Sequence, residues 1–230
     1  KTVLDLEDDV ANANWGGPWR MPTYEVFQEL LNNCEWEWTT ENGITGCKVS
    51  GNGNSIFLPA TGYRHGEQLY EAGWSSGNYW SATRHSGQAT KANILFFYRS
   101  GHDIADDPRF YGLSVRPVVV KEKPNTIKVH EYVDLGLPSG LKWATCNVGA
   151  EKPEDFGFYF AWGETVGYGQ NTQDGHIFDW ESYKWCEGSS NTLSKYNSES
   201  KYGIVDNKSI LEAAFSVLNT SGKYREDGTY

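Results

Sequence analysis

The chain has 230 residues, a formal net charge of −10, 10 Trp, 14 Tyr, 10 Phe and 25 Gly, with a single Met. No dense Lys/Arg run supplies the positive footprint that nucleic acid demands, and no apolar run reaches the length of a bilayer span. Aromatics at 15% beside 38% hydrophobic residues predict a turn-rich fold whose core leans on a few large rings. This length fits one large domain or two small ones. Low Met, abundant Gly, Asn and Trp, and a start without a signal peptide lean towards an extracellular protein.

In chain order, a short helix is predicted over Leu6 to Asn12, with its acids near the start. MPTYEVFQELLNN follows, with Thr23 as N-cap and Val26, Phe27, Leu30 and Leu31 at helical spacing. CEWEWTT and CKVSG flank Asn42-Gly43, a hairpin signal. A hairpin can bring Cys34 and Cys47 within bridging range, so a disulfide there and two buried free thiols both fit. Cys146 and Cys186 could pair, but spacing leaves connectivity open. Without a CxxC pair or zinc-finger His spacing, no structural metal site is expected.

SIFLPA, NYWSAT, ANILFFYRS and YGLSVRPVVV read as strands separated by turn-rich stretches such as SGNGN and TRHSGQATK. EYVDLGL and LKWATCNVG alternate like strands around a Pro138-Ser139-Gly140 turn. DFGFYFAWGE, FDWESYKWC and SSNTLSKYNSESKYG read as irregular, and NKSILEAAFSVLN returns to helix. Few helices and no βαβ alternation make the class α+β. The two ends also echo each other: Lys1 to Asp5 match Lys208 to Glu212 in residue type, with Val10/Val217 and Asn12/Asn219 in step.

WGGPWRMPTYEVFQELLNNCEWEWTT, GNSIFLPATGYR, NYWSAT and YGLSVRPV resemble the Fibrobacter-type major paralogous domain of gut Bacteroidetes surface proteins. EYVDLGLPSGLKWATCNVGAEKPEDFGFYFAWGE and YKWCEGSSNTLSKYN resemble it too, so the likeness spans most of residues 1–120 and 130–209. The resemblance implies a C-type lectin-like fold related to formylglycine-generating sulfatase-modifying enzymes. The order departs from the family: the part that usually comes last leads here. The expected architecture is therefore an α+β, C-type lectin-like fold, circularly permuted or built from two partial repeats. Residues 1–120 would be the family's C-terminal part, 121–129 a linker, and 130–230 the N-terminal part. That second part would complete the same domain or a neighbouring chain's.

The enzymes of that superfamily depend on cysteines in the C-terminal part of the domain, and residues 48–145 contain none, so this chemistry lacks its carrier. A glycosidase needs two carboxylates flanking a cleft, and no spacing pins such a pair among Asp103, Asp106, Asp107, Glu154 and Asp155. HDIADDP lacks EF-hand spacing and the sugar-binding lectins' calcium elements, so neither metal nor cofactor is expected. The expected role is non-catalytic: extracellular adhesion or recognition of a glycan or surface protein, on a cell or a phage, through loops between about 84 and 111. Candidate contacts are Arg84, His85, Gln88, Asn93, Tyr98, His102, Asp103, Asp106, Asp107, Arg109 and Tyr111, with Trp74 as an exposed ring. Trp80 and the tryptophans of WGGPWR and AWGE are expected to pack in the interior. The region also resembles the variable part of diversity-generating retroelement targets. The competing role is a building block of a surface filament, self-associating by exchange between chains.

Overall fold

A computed structural model describes residues 2–119 and 130–206. The linker and the helix expected over NKSILEAAFSVLN lie outside these residues. The first helix is α1, Val10–Trp15, rather than Leu6 to Asn12. Its start is fixed by Asp9, whose carboxylate accepts from Asn12 N, so the acids before it precede the helix instead of opening it. Asp9 also accepts from Met21 N at 3.0 Å, which ties the cap to the chain beyond the helix. Helix α2, Tyr24–Asn33, starts where Thr23 accepts from Val26 N. It buries Val26, Phe27 and Leu30, the spacing that keeps one apolar face inward.

Strands β1 (Glu35–Glu41), β2 (Ile44–Gly51) and β3 (Asn54–Pro59) form an antiparallel meander. Asn42 and Gly43 turn β1 into β2 with φ of +49° and +84°, the left-handed pair that a tight hairpin requires. The register sets Cys47 opposite Trp38, whereas Cys34 lies one residue beyond the Glu35–Ser50 pair. The two cysteines stand four positions apart along the ladder, so no bridge joins them and both are free thiols.

A short hairpin, β4 (Tyr63–His65) and β5 (Gln68–Tyr70), precedes the sheet of β6 (Ser76–Arg84), β7 (Lys91–Tyr98) and β8 (Gly101–Pro108). HDIADDP, a loop by its sequence, is part of β8 and pairs with β7 from Lys91–Pro108 to Tyr98–Gly101. Three Asp residues argue against a strand by propensity, but β7 offers a full row of backbone partners and Ile104 packs inward. Among the described residues of YGLSVRPVVV, expected to form a strand, Val118–Val119 form β9, and Gly112, Leu113 and Ser114 make isolated bridges.

The second half adds β10 (Tyr132–Val133) and β11 (Lys142–Ala144), in the order β10-β11-β9. β9 of the first half thus pairs with β11 of the second. One core layer lies between α2, the β1–β3 meander and one face of β6–β8; it takes Leu135, Leu141 and Trp143 from the second half. The other face of β6–β8 packs Trp80, Ala92 and Ile94 against Val148, Phe160 and Trp162. Burying rings of this size removes much apolar area from water, about 1.5–3 kcal/mol for each large side chain. Both halves therefore share both layers, in a mostly β, α+β arrangement of small antiparallel sheets.

Between Ala144 and Asp206 regular structure is sparse, limited to short 3-10 turns at Thr172–Asp174 and Ser200–Tyr202. Buried arginines organise this part. Arg116 Nε donates to Asn147 Oδ1 at 2.8 Å, and its other nitrogens donate to the carbonyls of Ala144, Thr145 and Phe57. Arg64 forms a fork to Asp174 at 2.6 and 3.1 Å and lies over the Phe178 ring. Planar, multiply donating guanidinium groups suit irregular backbone because each satisfies several carbonyls at once.

Candidate functional site

The residues expected to form one binding surface separate into three groups. Arg84, Asn93 and Arg109 are buried. Asn93 Nδ2 donates to the Thr83 and Arg84 carbonyls, and Arg84 donates to the His85 carbonyl and to Ser198 Oγ. Arg109 is fully buried, with its nitrogens on Tyr183 Oη, the Ala89 carbonyl and the Lys195 carbonyl, and its plane over Trp162. These three hold the fold and do not face a ligand.

A second group lies at the β7–β8 turn. Tyr98 is 44% exposed beside Phe96, His102 stacks on Trp36 at 4.6 Å, and Asp103 accepts from Ile104 N. The third group lies at the opposite end of β8, roughly 17 Å away for five residues of strand. There Lys91 Nζ donates to Asp106 at 2.6 Å, with His85 Nε2 3.8 Å from the same carboxylate. Gln88 is spent locally on Thr90 Oγ1. Asp107 and Tyr111 adjoin this end. Since β8 is a strand, the expected 84–111 loop surface reduces to the short segments around it.

Tyr111 stands in a column of rings. It stacks on Tyr63 at 5.4 Å with planes 7° apart, and Tyr63 stacks on Tyr70 at 5.3 Å. Tyr63 and Tyr70 are cross-strand partners of the β4–β5 hairpin, so strand pairing itself aligns them. Gly66 opens that hairpin's loop with φ of +58°. Two hydrogen bonds between Arg64 and Gly112 fix Tyr111 beside Tyr63. Gly112 is needed there, because an added Cβ would lie 2.6 Å from the Phe178 ring. His65 packs 4.9 Å from Tyr111, and Phe110 meets both rings.

Two acids act on this column, Glu71 on Tyr63 and Asp107 on both Tyr63 and Tyr111; Asp107 is the one with a strongly raised carboxyl. Burial, and then Asp106, push its carboxyl up to about 6, against the pull of Lys91. Burial raises the Tyr63 and Tyr111 phenols; the Glu71 charge then raises Tyr63 more than Asp107 does, and Asp107 is the leading charge on Tyr111. The rings and the carboxyl are thus electrostatically coupled. In the turn after Tyr70, Trp74 is 73% exposed, a large apolar area left in water. Tyr63, His65, Tyr70 and Lys91 were not singled out from the sequence. Tyr63 and Tyr70 at the two ends of YRHGEQLY, around a Gly turn, were the available signal.

Among the described residues, Asp5, Glu7 and Asp8 are the acids close enough together to hold a metal ion. Lys195 Nζ lies between them, 3.5, 3.1 and 2.5 Å from their carboxylates, and supplies the balancing charge itself. No helix of the described residues is long and apolar enough to cross a membrane.

Fold and site together define a mostly β, α+β protein with a tyrosine column, a raised carboxyl and an exposed tryptophan. No family model, no curated protein and no solved structure matches the chain.

Proposed function

We propose that the protein is a non-catalytic recognition domain of C-type lectin-like fold, acting outside the cell, and that its ligand is a glycan. The observation that carries this reading is the Tyr70–Tyr63–Tyr111 column with the Asp107 charge acting on it, together with the exposed Trp74, four residues after Tyr70. Phenol hydroxyls and a carboxylate offer the donor and acceptor groups that sugar hydroxyls pair with, and a free indole offers a flat apolar face for sugar C–H groups. The rings also lose little conformational freedom on binding, since packing already holds them. The resemblance of WGGPWRMPTYEVFQELL and YGLSVRPV to a surface-protein family supports the same reading.

Binding of the full chain to a glycan array tests it. Trp74→Ala and Asp107→Asn should each weaken binding at least tenfold, while His102→Ala, at the far end of β8, should leave it unchanged. Retained binding in the first two variants, or capture of protein ligands with no glycan bound, would overturn the proposal.

A further inference from the structure

Residues 2–12 fill a groove built from both halves of the chain. Leu4 N donates to the Ala82 carbonyl and Val3 bridges Thr83, which seats an extended segment along the end of β6. Leu4, Val10 and Ala11 are buried in the layer that contains Trp162 and Tyr196. The Tyr196 hydroxyl accepts from Asp5 N at 2.9 Å and donates to Asp8 at 2.6 Å. On its other side, Tyr196 N donates to Asp206 at 2.7 Å, and Asp206 N returns a bond to the Asn197 carbonyl. One residue, Tyr196, thus touches both the occupant of the groove and the last described residue. Arg84 closes the same corner, with its N–H on the Thr2 carbonyl and its guanidinium on Ser198. The chain leaves Asp206 at the mouth of the groove that residues 2–12 enter.

The sequence beyond Asp206 repeats the residue types that fill the groove. Ile210 and Leu211 stand in step with Val3 and Leu4, Glu212 with Asp5, Val217 with Val10 and Asn219 with Asn12. Ser216 stands in step with Asp9, and serine is as good an N-cap as aspartate. We propose that this groove is a docking site for residues 208–219 of the same chain, in exchange with residues 2–12.

The two segments are unequal competitors. Phe215 stands where Asp8 meets Lys195, and Leu218, a larger side chain, where fully buried Ala11 lies. Residues 2–12 therefore hold the groove, and residues 208–219 take it when the first segment is displaced, at high effective concentration because only Asn207 separates them from Asp206. Gly16 and Gly17, with φ of +71° and +55°, end α1.

The full chain tests this through a four-way melting comparison. The tail pair Leu211→Asp/Val217→Asp alone should shift Tm by no more than about 2 °C, because the groove is already filled. Leu4→Asp/Val10→Asp should keep a cooperative melt at lower Tm, and combining the two pairs should abolish it. A synthetic peptide of residues 208–219 should restore the melt of the combined variant. Additive shifts, or loss of the melt in the Leu4→Asp/Val10→Asp variant alone with no rescue by the peptide, would overturn the proposal. Light scattering of the Leu4→Asp/Val10→Asp variant should give a monomer. Concentration-dependent assembly would place the tail on a second copy and overturn docking within one chain.

Discussion

Arg109 Nε donates to the Tyr183 hydroxyl at 2.8 Å, and the Tyr183 hydroxyl in turn donates to the Trp162 carbonyl. A side chain that the sequence offered as a ligand contact is instead a clamp between the halves. Its other nitrogens reach Ala89 in the first half and Lys195 in the second, and its plane covers Trp162. Arg109→Ala strips donors from the Tyr183 hydroxyl and two carbonyls, each roughly 1–3 kcal/mol when left buried and unpaired. The expected loss is about 3 kcal/mol or more, measured as a lowered urea midpoint. Arg109→Lys should recover little of it, because an ammonium cannot span that fork. A midpoint within experimental error of the wild type would refute the clamp.

The carboxyl of Asp107 gives a pH dependence with a definite sign. Its folded pKa, raised to about 6 by burial and by Asp106, lies above the ordinary carboxylate value of 3.8. Between those values the folded chain binds a proton that the unfolded chain has released, so this group makes stability fall as pH rises through the window. Asp9, also raised to about 6 by burial, acts in the same direction. Asp107→Asn should therefore flatten only part of the slope and raise stability at pH 7 by about 1–2 kcal/mol. Chemical denaturation of both chains at pH 4, 5, 6 and 7 checks it. Parallel curves would mean that Asp107 titrates normally. If the glycan reading holds, the affinity should change across the same window.

The thiols offer a third test. Cys34 and Cys47 stand four ladder positions apart, and burial pushes the Cys47 thiol up to about 12. It should be inert to alkylation in the folded state, since the thiolate is the reactive form. Melting curves with and without dithiothreitol should coincide, and Cys34→Ser should leave Tm within about 2 °C. A drop on reduction would restore the bridge that the hairpin register denies.

These outcomes track what was legible in the residues. Thr23 and Asn42-Gly43 announced α2 and the β1–β2 hairpin because capping and turn chemistry act over three or four residues. Trp80 and Trp162, expected in the interior, are fully buried. HDIADDP hid β8 because its strand character comes from pairing with β7, a partner that local propensity cannot see. Arg84 and Arg109 misled for a related reason. Arginine is ordinarily a surface residue, and these two are drawn inward by partners from both halves: the His85 and Ala89 carbonyls before Ala144, and the Ser198 and Tyr183 hydroxyls and the Lys195 carbonyl after it. The tyrosine column was half visible: YRHGEQLY contains a cross-strand pair, but Tyr111 joins it through a bridge between residues 48 positions apart, Arg64 and Gly112.

Lys195 supplies the last prediction. Its ammonium lies 2.5 Å from Asp8, a carboxylate only 2% exposed, and within 3.5 Å of Asp5 and Glu7. Asp8 keeps the Tyr196 hydroxyl at 2.6 Å and Lys184 at 3.8 Å, too little to balance a buried charge. Lys195→Met should cost about 3 kcal/mol near neutral pH, because it leaves that charge uncompensated. Lys195→Met combined with Asp8→Leu should recover much of the loss, since a buried pair exchanged for apolar groups is often neutral. A double variant as unstable as the single one would show that Lys195 acts through its Trp185 and Tyr196 ring contacts rather than through Asp8.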